Sequence, residues 1–157
     1  MHIPMQVDYG VRALVDLAAN GGNGPVRATD ISKRQGIPEP YLVQVLHSLR
    51  KRGLTTTQRG PLGGHSLALE PSDISMGMVM KYLGGTQAMV GCLDQQGDCT
   101  QSSACGQRSV WLEVEQAMQA VLNSKSIADL VERDRLMESP TENGAELASP
   151  TLTGHYK

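Results

Sequence analysis

Three cysteines, Cys92, Cys99 and Cys105, fall within fourteen residues, and the chain has no others. Their spacing, Cys-x6-Cys-x5-Cys, lies in a Gly-, Gln- and Ser-rich stretch with no sustained periodicity. Zinc fingers and ribbons present tighter Cys-x2-Cys pairs and need four nitrogen or sulfur ligands. Soft thiolates spread along a polar loop suit an iron–sulfur cluster completed by a ligand from elsewhere. A redox thiol switch and incidental cysteines are the alternatives; the odd count excludes a complete disulfide framework. A second constellation is basic and polar. Tyr41, Gln44, His47, Ser48 and Lys51 share one face of a helical stretch, Arg50, Lys51 and Arg52 crowd its end, and Arg59 with Gly60 lies in a glycine-rich turn. Gln pairs with base edges in a major groove, and Tyr and Ser reach phosphates or bases. A slender tip lets one Arg enter a narrow minor groove. A protein-docking face or a merely solvated one is the alternative. No nucleophile–base–orienter set, phosphate loop or pair of catalytic acids emerges, so the sequence does not read as an enzyme.

The elements that must position these residues follow from periodicity. Val7, Val11, Leu14, Val15 and Ala18 form one helical stripe, ended by the run Asn20 to Pro25. A short helix from Thr29 to Gln35 stops at Gly36, which supplies a left-handed cap, with Pro38 beyond. Pro40 fits a first helical turn, and Leu42, Val45, Leu46 and Leu49 repeat at helical spacing up to Arg52. Two helices joined by a tight Gly-containing turn predict a helix-turn-helix. Leu54–Gln58, a turn over 59–64, and Ser66–Leu69 predict a β-hairpin directly behind it, making a winged helix. Ile74–Leu83 reads as a further helix and 84–107 as a loop. Val110, Val114, Ala117, Met118 and Val121 form a stripe that Trp111, Leu112 and Leu122 broaden beyond one packing face, which predicts contact with a second subunit. Ser126 and Asp129 form a capping box for a last helix, Ile127–Met137. The Pro-, Ser- and Thr-containing remainder reads as a disordered tail. The expected organisation is a DNA-binding domain over 1–83, a cysteine-rich loop over 84–107, a dimerisation helix and terminal helix over 108–137, and a tail over 138–157.

The chain has 157 residues, enough for one domain with a real core. Its net charge of −2 conceals an asymmetry: residues 1–65 hold eight basic and four acidic side chains, the rest six and twelve. A basic front suits a polyanion partner, although chance variation of surface charge gives the same count. With no Phe and one Trp, recognition of single strands by stacking is poorly supplied. The absence of a long apolar run or a signal-like start gives a cytoplasmic expectation without membrane insertion.

The stretches Val7–Leu14, Asp30–Ile37, Tyr41–Gln44 and Leu49–Leu54, the Arg59-Gly60-Pro61 turn and the three-cysteine loop together resemble the Rrf-type winged-helix transcriptional regulators. The resemblance covers residues 1 to about 137 and takes in IscR-like, NsrR-like and RirA-like iron–sulfur regulators. It implies a mainly α fold with a β-hairpin wing and a long dimerisation helix, a homodimer on a palindromic DNA operator, and a cluster bound by Cys92, Cys99 and Cys105. IscR-like members take their fourth ligand from a His three residues after the last Cys, where this chain has Arg108. NsrR-like members use an Asp on the first helix, donated by the partner subunit, with a [4Fe–4S] cluster; Asp8 stands there. The resemblance therefore favours [4Fe–4S] over [2Fe–2S] and Asp8 as ligand. Read alone, Asp8 pairs with Arg12 at i,i+4, and Arg12 and Asp16 share its face. The DNA-facing residues expected are Tyr41, Gln44, His47, Ser48, Arg50, Lys51, Arg59 and Gly60. Val43 replaces the Glu of IscR-like recognition helices. Two other readings stand beside a cluster-controlled regulator sensing iron, nitric oxide or redox state. One is a cluster-free winged-helix sensor of thiols or metabolites, the other a small iron–sulfur carrier that docks to proteins.

Overall fold

The computed structural model describes residues 3–84 and 105–138. The expected cluster loop, apart from its ends, and the expected tail, apart from Glu138, lie outside the described residues.

Helix α1 (Met5–Asn20) buries Val7, Ala13, Leu14, Val15 and Leu17 and forms the centre of the fold. Gly10 lets Leu83 approach, since a Cβ there would collide with the Leu83 side chain. After a 3-10 turn at Gly21–Asn23, α2 (Ala28–Gln35) ends on Gly36 at φ 63°, as expected. The Ile37 amide then donates to the Ser32 carbonyl at 3.1 Å and closes the helix end. Helix α3 (Glu39–Lys51) carries Pro40 in its first turn and buries Leu42, Val45, Leu46 and Leu49. Each of those side chains contributes about 1.5–3 kcal/mol through burial. One core cluster joins α1 to α2 and α3 through Ala13, Leu17, Val26, Ile31, Ile37, Leu42 and Leu46. The other joins α1 and α3 to α4 (Met76–Leu83) and α6 (Ile127–Glu138) through Val7, Leu14, Val45, Leu49, Val79 and Ile127.

Strands β1 (Thr55–Gln58) and β2 (Gly64–Leu67) pair antiparallel, Thr55 opposite Leu67 and Gln58 opposite Gly64. The second strand begins two residues before its expected start. Val26 draws it there: the Val26 and His65 backbones exchange two 2.8 Å hydrogen bonds, adding a one-residue third strand. Ile74 is likewise extended and wholly buried rather than helical, and the Ser75 hydroxyl caps α4 by accepting from the Met78 amide at 3.1 Å.

Helix α5 (Gly106–Asn123) starts inside the expected loop, with Cys105 at its N-cap. Its eighteen residues span roughly 27 Å, and none is buried. Its C-terminal end meets α4 where Asn123 lies against Gly77. The chain then returns to the body: the Met76 amide donates to Lys125 and the Ile127 amide to Ile74, both at 2.8 Å. Helix α6 opens on the expected capping box. Ser126 Oγ accepts from the Asp129 amide at 3.1 Å, and the Asp129 carboxylate accepts from the Ser126 amide at 2.8 Å.

Candidate nucleic-acid interface and cluster ligands

With Leu42, Val45, Leu46 and Leu49 turned inward, α3 leaves Tyr41, Val43, Gln44, His47, Arg50 and Lys51 exposed. Ser48 is half-buried. Its hydroxyl donates to the Gln44 carbonyl at 3.1 Å and accepts from Gln6 Nε2 of α1 at 3.5 Å. It is therefore committed to its own helix more than the sequence suggested. Arg52 is exposed beside Arg50 and Lys51, and its guanidinium also lies 5.7 Å from the centroid of the Tyr82 ring of α4.

At the wing, Arg59 and Gly60 are exposed, and Gly60 takes φ 115°, a conformation that glycine tolerates and side-chain-bearing residues avoid. Gly64 permits the bridge to Val26, because a Cβ would sit 2.5 Å from the Val26 carbonyl oxygen. His65 Nδ1 lies 3.3 Å from the Thr57 hydroxyl. Burial, and secondarily the Arg50 cation, holds the His65 pKa below its usual 6.5. Arg27, which the sequence did not single out, donates from Nη2 to the Pro61 carbonyl at 2.6 Å. The two residues are 34 positions apart, and no local pattern links them.

Of the expected cluster ligands, Cys105 and Asp8 are described, while Cys92 and Cys99 lie outside the described residues. Cys105 is a half-exposed free thiol at the N-cap of α5. A thiol that solvent can reach is open to a metal, which thiols bind as thiolates. Asp8 is also half-exposed; Arg12 Nη2 approaches its Oδ2 at 3.0 Å and Arg12 Nε its Oδ1 at 3.3 Å. Arg12 also reaches the Gln35 carbonyl at 3.5 Å. An exposed pair of this kind is worth under about 1 kcal/mol, so the carboxylate remains available to a metal. Among the described residues no group of three or more His, Cys, Asp or Glu is gathered to hold a metal. The donor chemistry of Cys105 and Asp8 fits a thiolate–carboxylate set.

Asp16 does not share the exposed face of Asp8 and Arg12. Its side chain is wholly buried and accepts from Arg34 Nη2 at 2.7 Å, Arg34 Nε at 2.9 Å and Gln35 Nε2 at 3.2 Å. These bonds join α1 to α2, and pairing with Asp16 holds the Arg34 pKa above its usual value.

A helix-turn-helix with a hairpin wing behind its second helix is a winged-helix DNA-binding module. Residues 3–133 match the family model described as "Rrf2: Iron-dependent Transcriptional regulator". The chain belongs to the Rrf2 family of transcriptional regulators. It is 37% identical to protein rrf2 of Nitratidesulfovibrio vulgaris over 131 residues, 83% of this chain and 87% of that protein. Among solved structures it resembles T. potens IscR, with a TM-score of 0.71 and 34% identity, covering 88% of this chain and 91% of that one. It also resembles CymR, the global cysteine regulator of B. subtilis, with a TM-score of 0.72 and 28% identity, covering 85% and 98%. The matched family and CymR are regulators and not enzymes. No helix among the described residues is long and apolar enough to cross a membrane.

Proposed function

We propose that the protein is a homodimeric, sequence-specific regulator that binds a palindromic operator and whose operator affinity is set by an iron–sulfur cluster. Tyr41, Gln44, His47, Ser48, Arg50 and Lys51 face the major groove, and Arg59 with Gly60 faces the minor groove. The outward polar face of α3 beside an Arg-tipped wing supports this assignment. The dimer is supported by α5, where Val110 and Val121 are 55% and 61% exposed and Leu112 and Val114 are exposed too. Apolar area of that extent on one helix suits a second copy of the chain.

Cys92, Cys99 and Cys105 of one subunit, with Asp8 of the partner subunit, would hold the cluster, [4Fe–4S] rather than [2Fe–2S]. The single observation carrying this is the donor set itself: an accessible thiol at a helix N-terminus and an accessible carboxylate on α1, with Arg108 where a His ligand would be needed. Such a cluster supplies a tie that iron shortage, nitric oxide or oxidant can break. The chain's own residues carry the consequence to DNA. Gln6, two positions before Asp8, donates to Ser48, and Val7 and Leu14 share a core with Val45 and Leu49 of α3. A shift of the first turns of α1 therefore reaches the recognition helix. Two such helices must meet grooves about 34 Å apart, so a small rotation weakens binding.

Absorbance, iron content and operator binding measured on one anaerobic sample, before and after iron removal, test the reading. Coloured, iron-containing protein whose affinity changes on iron loss is expected, with Asp8→Ala altering the spectrum. Protein that stays colourless after reconstitution refutes the cluster. The likeness to CymR favours one second reading, a cluster-free regulator answering to thiols or cysteine metabolites. It predicts operator affinity indifferent to iron but sensitive to thiol oxidation or a sulfur metabolite.

A further inference from the structure

We propose that Arg27 is a positioning residue for DNA recognition, holding the wing tip through the Pro61 carbonyl so that Arg59 is presented in register with α3. The inference rests on the reading of Arg59 and α3 as DNA-facing groups. Each wing strand has only four residues, and a two-stranded hairpin is marginal in isolation. Its base is secured by the buried Leu54 and Thr55 and by the paired backbone bonds between Val26 and His65. Those bonds stop short of the tip, where Arg59 to Leu62 are all exposed and the turn closes on a 2.9 Å bond from the Gly63 amide to the Gly60 carbonyl. The 2.6 Å bond from Arg27 reaches this tip from another part of the fold.

The placement of Arg27 follows from the strand it ends. Val26 turns inward against the core, and Arg27, extended at φ −74° and ψ 142°, carries its side chain out toward the wing. Arg27 is also the N-cap of α2, where the helix dipole disfavours a cation. The acceptor across the gap offsets that cost: a charge-assisted bond to a carbonyl is stronger than a neutral one. A direct contact to a phosphate is the competing role for an exposed arginine in this position. The two roles differ in whether they require Arg59.

The experiment uses the full-length protein and the variants Arg27→Ala, Arg27→Lys, Arg59→Ala and Arg27→Ala/Arg59→Ala. The first readout, without DNA, is hydrogen exchange over 59–64. Arg27→Ala is expected to accelerate it severalfold while the unfolding midpoint stays in place, and Arg27→Lys to restore part of the protection. The second is affinity for a duplex that the wild-type protein selects from a random-sequence pool, measured across a salt series. Arg27→Ala alone is expected to weaken binding about fivefold, with little further loss in the Arg59→Ala background. Unchanged exchange over 59–64 overturns the proposal. Losses that add, with a salt slope lower by about one for Arg27→Ala, also overturn it by making Arg27 an independent phosphate contact. Accelerated exchange combined with wild-type binding by Arg59→Ala leaves the latch in place and removes the DNA role of the wing, overturning the reading beneath the proposal.

Discussion

Replacing Arg34 by Ala should destabilise the protein more than replacing its partner Asp16, although each change breaks the same ion pair. The asymmetry lies in what each leaves behind. The Asp16 side chain is wholly buried, whereas that of Arg34 is 41% exposed. Arg34→Ala removes two of the three hydrogen bonds that the carboxylate accepts, leaving it the Gln35 amide at 3.2 Å. Stranding a buried charge by removing its partner costs roughly 3–5 kcal/mol, and the surviving Gln35 bond places this case near 3. Asp16→Ala frees a guanidinium that turns into water, so the loss is about 1–2 kcal/mol from the bonds and a small cavity. At roughly 2–4 °C per kcal/mol, Arg34→Ala should lower Tm by about 6–12 °C and Asp16→Ala by about one-third to two-thirds of that. The double variant should resemble Asp16→Ala, because it no longer strands a charge. Circular dichroism melts at one fixed protein concentration check this, since dimerisation couples stability to concentration. Equal losses for the two single variants, or a double variant equal to their sum, would refute the reasoning.

Two pH predictions follow from the wing and the last helix. Burial and the Arg50 cation hold His65 below 6.5, so folding favours its neutral ring; the stability it contributes is full above pH 6.5 and lost as pH falls through the folded value. An NMR titration of the His65 ring should show a midpoint below 6.5 that Arg50→Gln raises only part of the way, because burial is the larger cause; a midpoint at or above 6.5 contradicts this. The backbone amide and then the hydroxyl of Ser126 hold Asp129 below 3.8, so its contribution to the capping box is present above pH 3.8 and lost as pH falls through the lower folded value. The Ser126 amide shift should report that titration, and Ser126→Ala should move its midpoint up only partly; a wild-type midpoint at or above 3.8 rules the cap out as its cause.

What the sequence disclosed were the features written into neighbouring residues. Leu42, Val45, Leu46 and Leu49 specify the buried face of α3 by spacing alone, and the same spacing leaves Tyr41, Gln44 and His47 outward. Gly36 and the Ser126–Asp129 box mark helix ends because capping chemistry is local. Features that depend on distant partners were hidden. Asp16 reads as one of three charged residues on a helix face, and only the arrival of Arg34 from α2 makes burial of its carboxylate tolerable. The early start of β2 is set by Val26, 39 positions away from His65, so hairpin alternation alone misplaced it. Arg52 belongs to the basic run Arg50–Arg52, and its contact with Tyr82 of α4, thirty positions on, was not legible from that run. At the candidate cluster site, family resemblance supplied the pairing of the cysteines with Asp8, whereas the local pattern Asp8-x3-Arg12 described the contact seen within one protomer.

The contrast between the two acidic residues of α1 bears on how a signal would travel. Asp16 is locked to α2 by three hydrogen bonds in a buried setting, and Asp8, two turns earlier, is half-exposed with an exposed arginine for a partner. An α-helix of sixteen residues, roughly 24 Å long, transmits displacement without absorbing it. If the Asp8 end is pulled toward a neighbouring subunit, the motion pivots about the Asp16 end and falls on the elements packed between them. Those are α3, through Val7, Leu14, Val45 and Leu49, and α4, through the close approach at Gly10. The Val45–Leu49 side of α3 would then move with the start of α1 while Leu42 and Leu46 stay packed with Ile31 and Leu17, which would tilt the recognition helix. Loosening the pivot should therefore blunt the response of operator affinity to iron. An Asp16→Asn variant that folds should show a smaller affinity difference between iron-loaded and iron-free protein than wild type. An undiminished difference would mean that α1 moves as a unit with α2 and that no pivot exists.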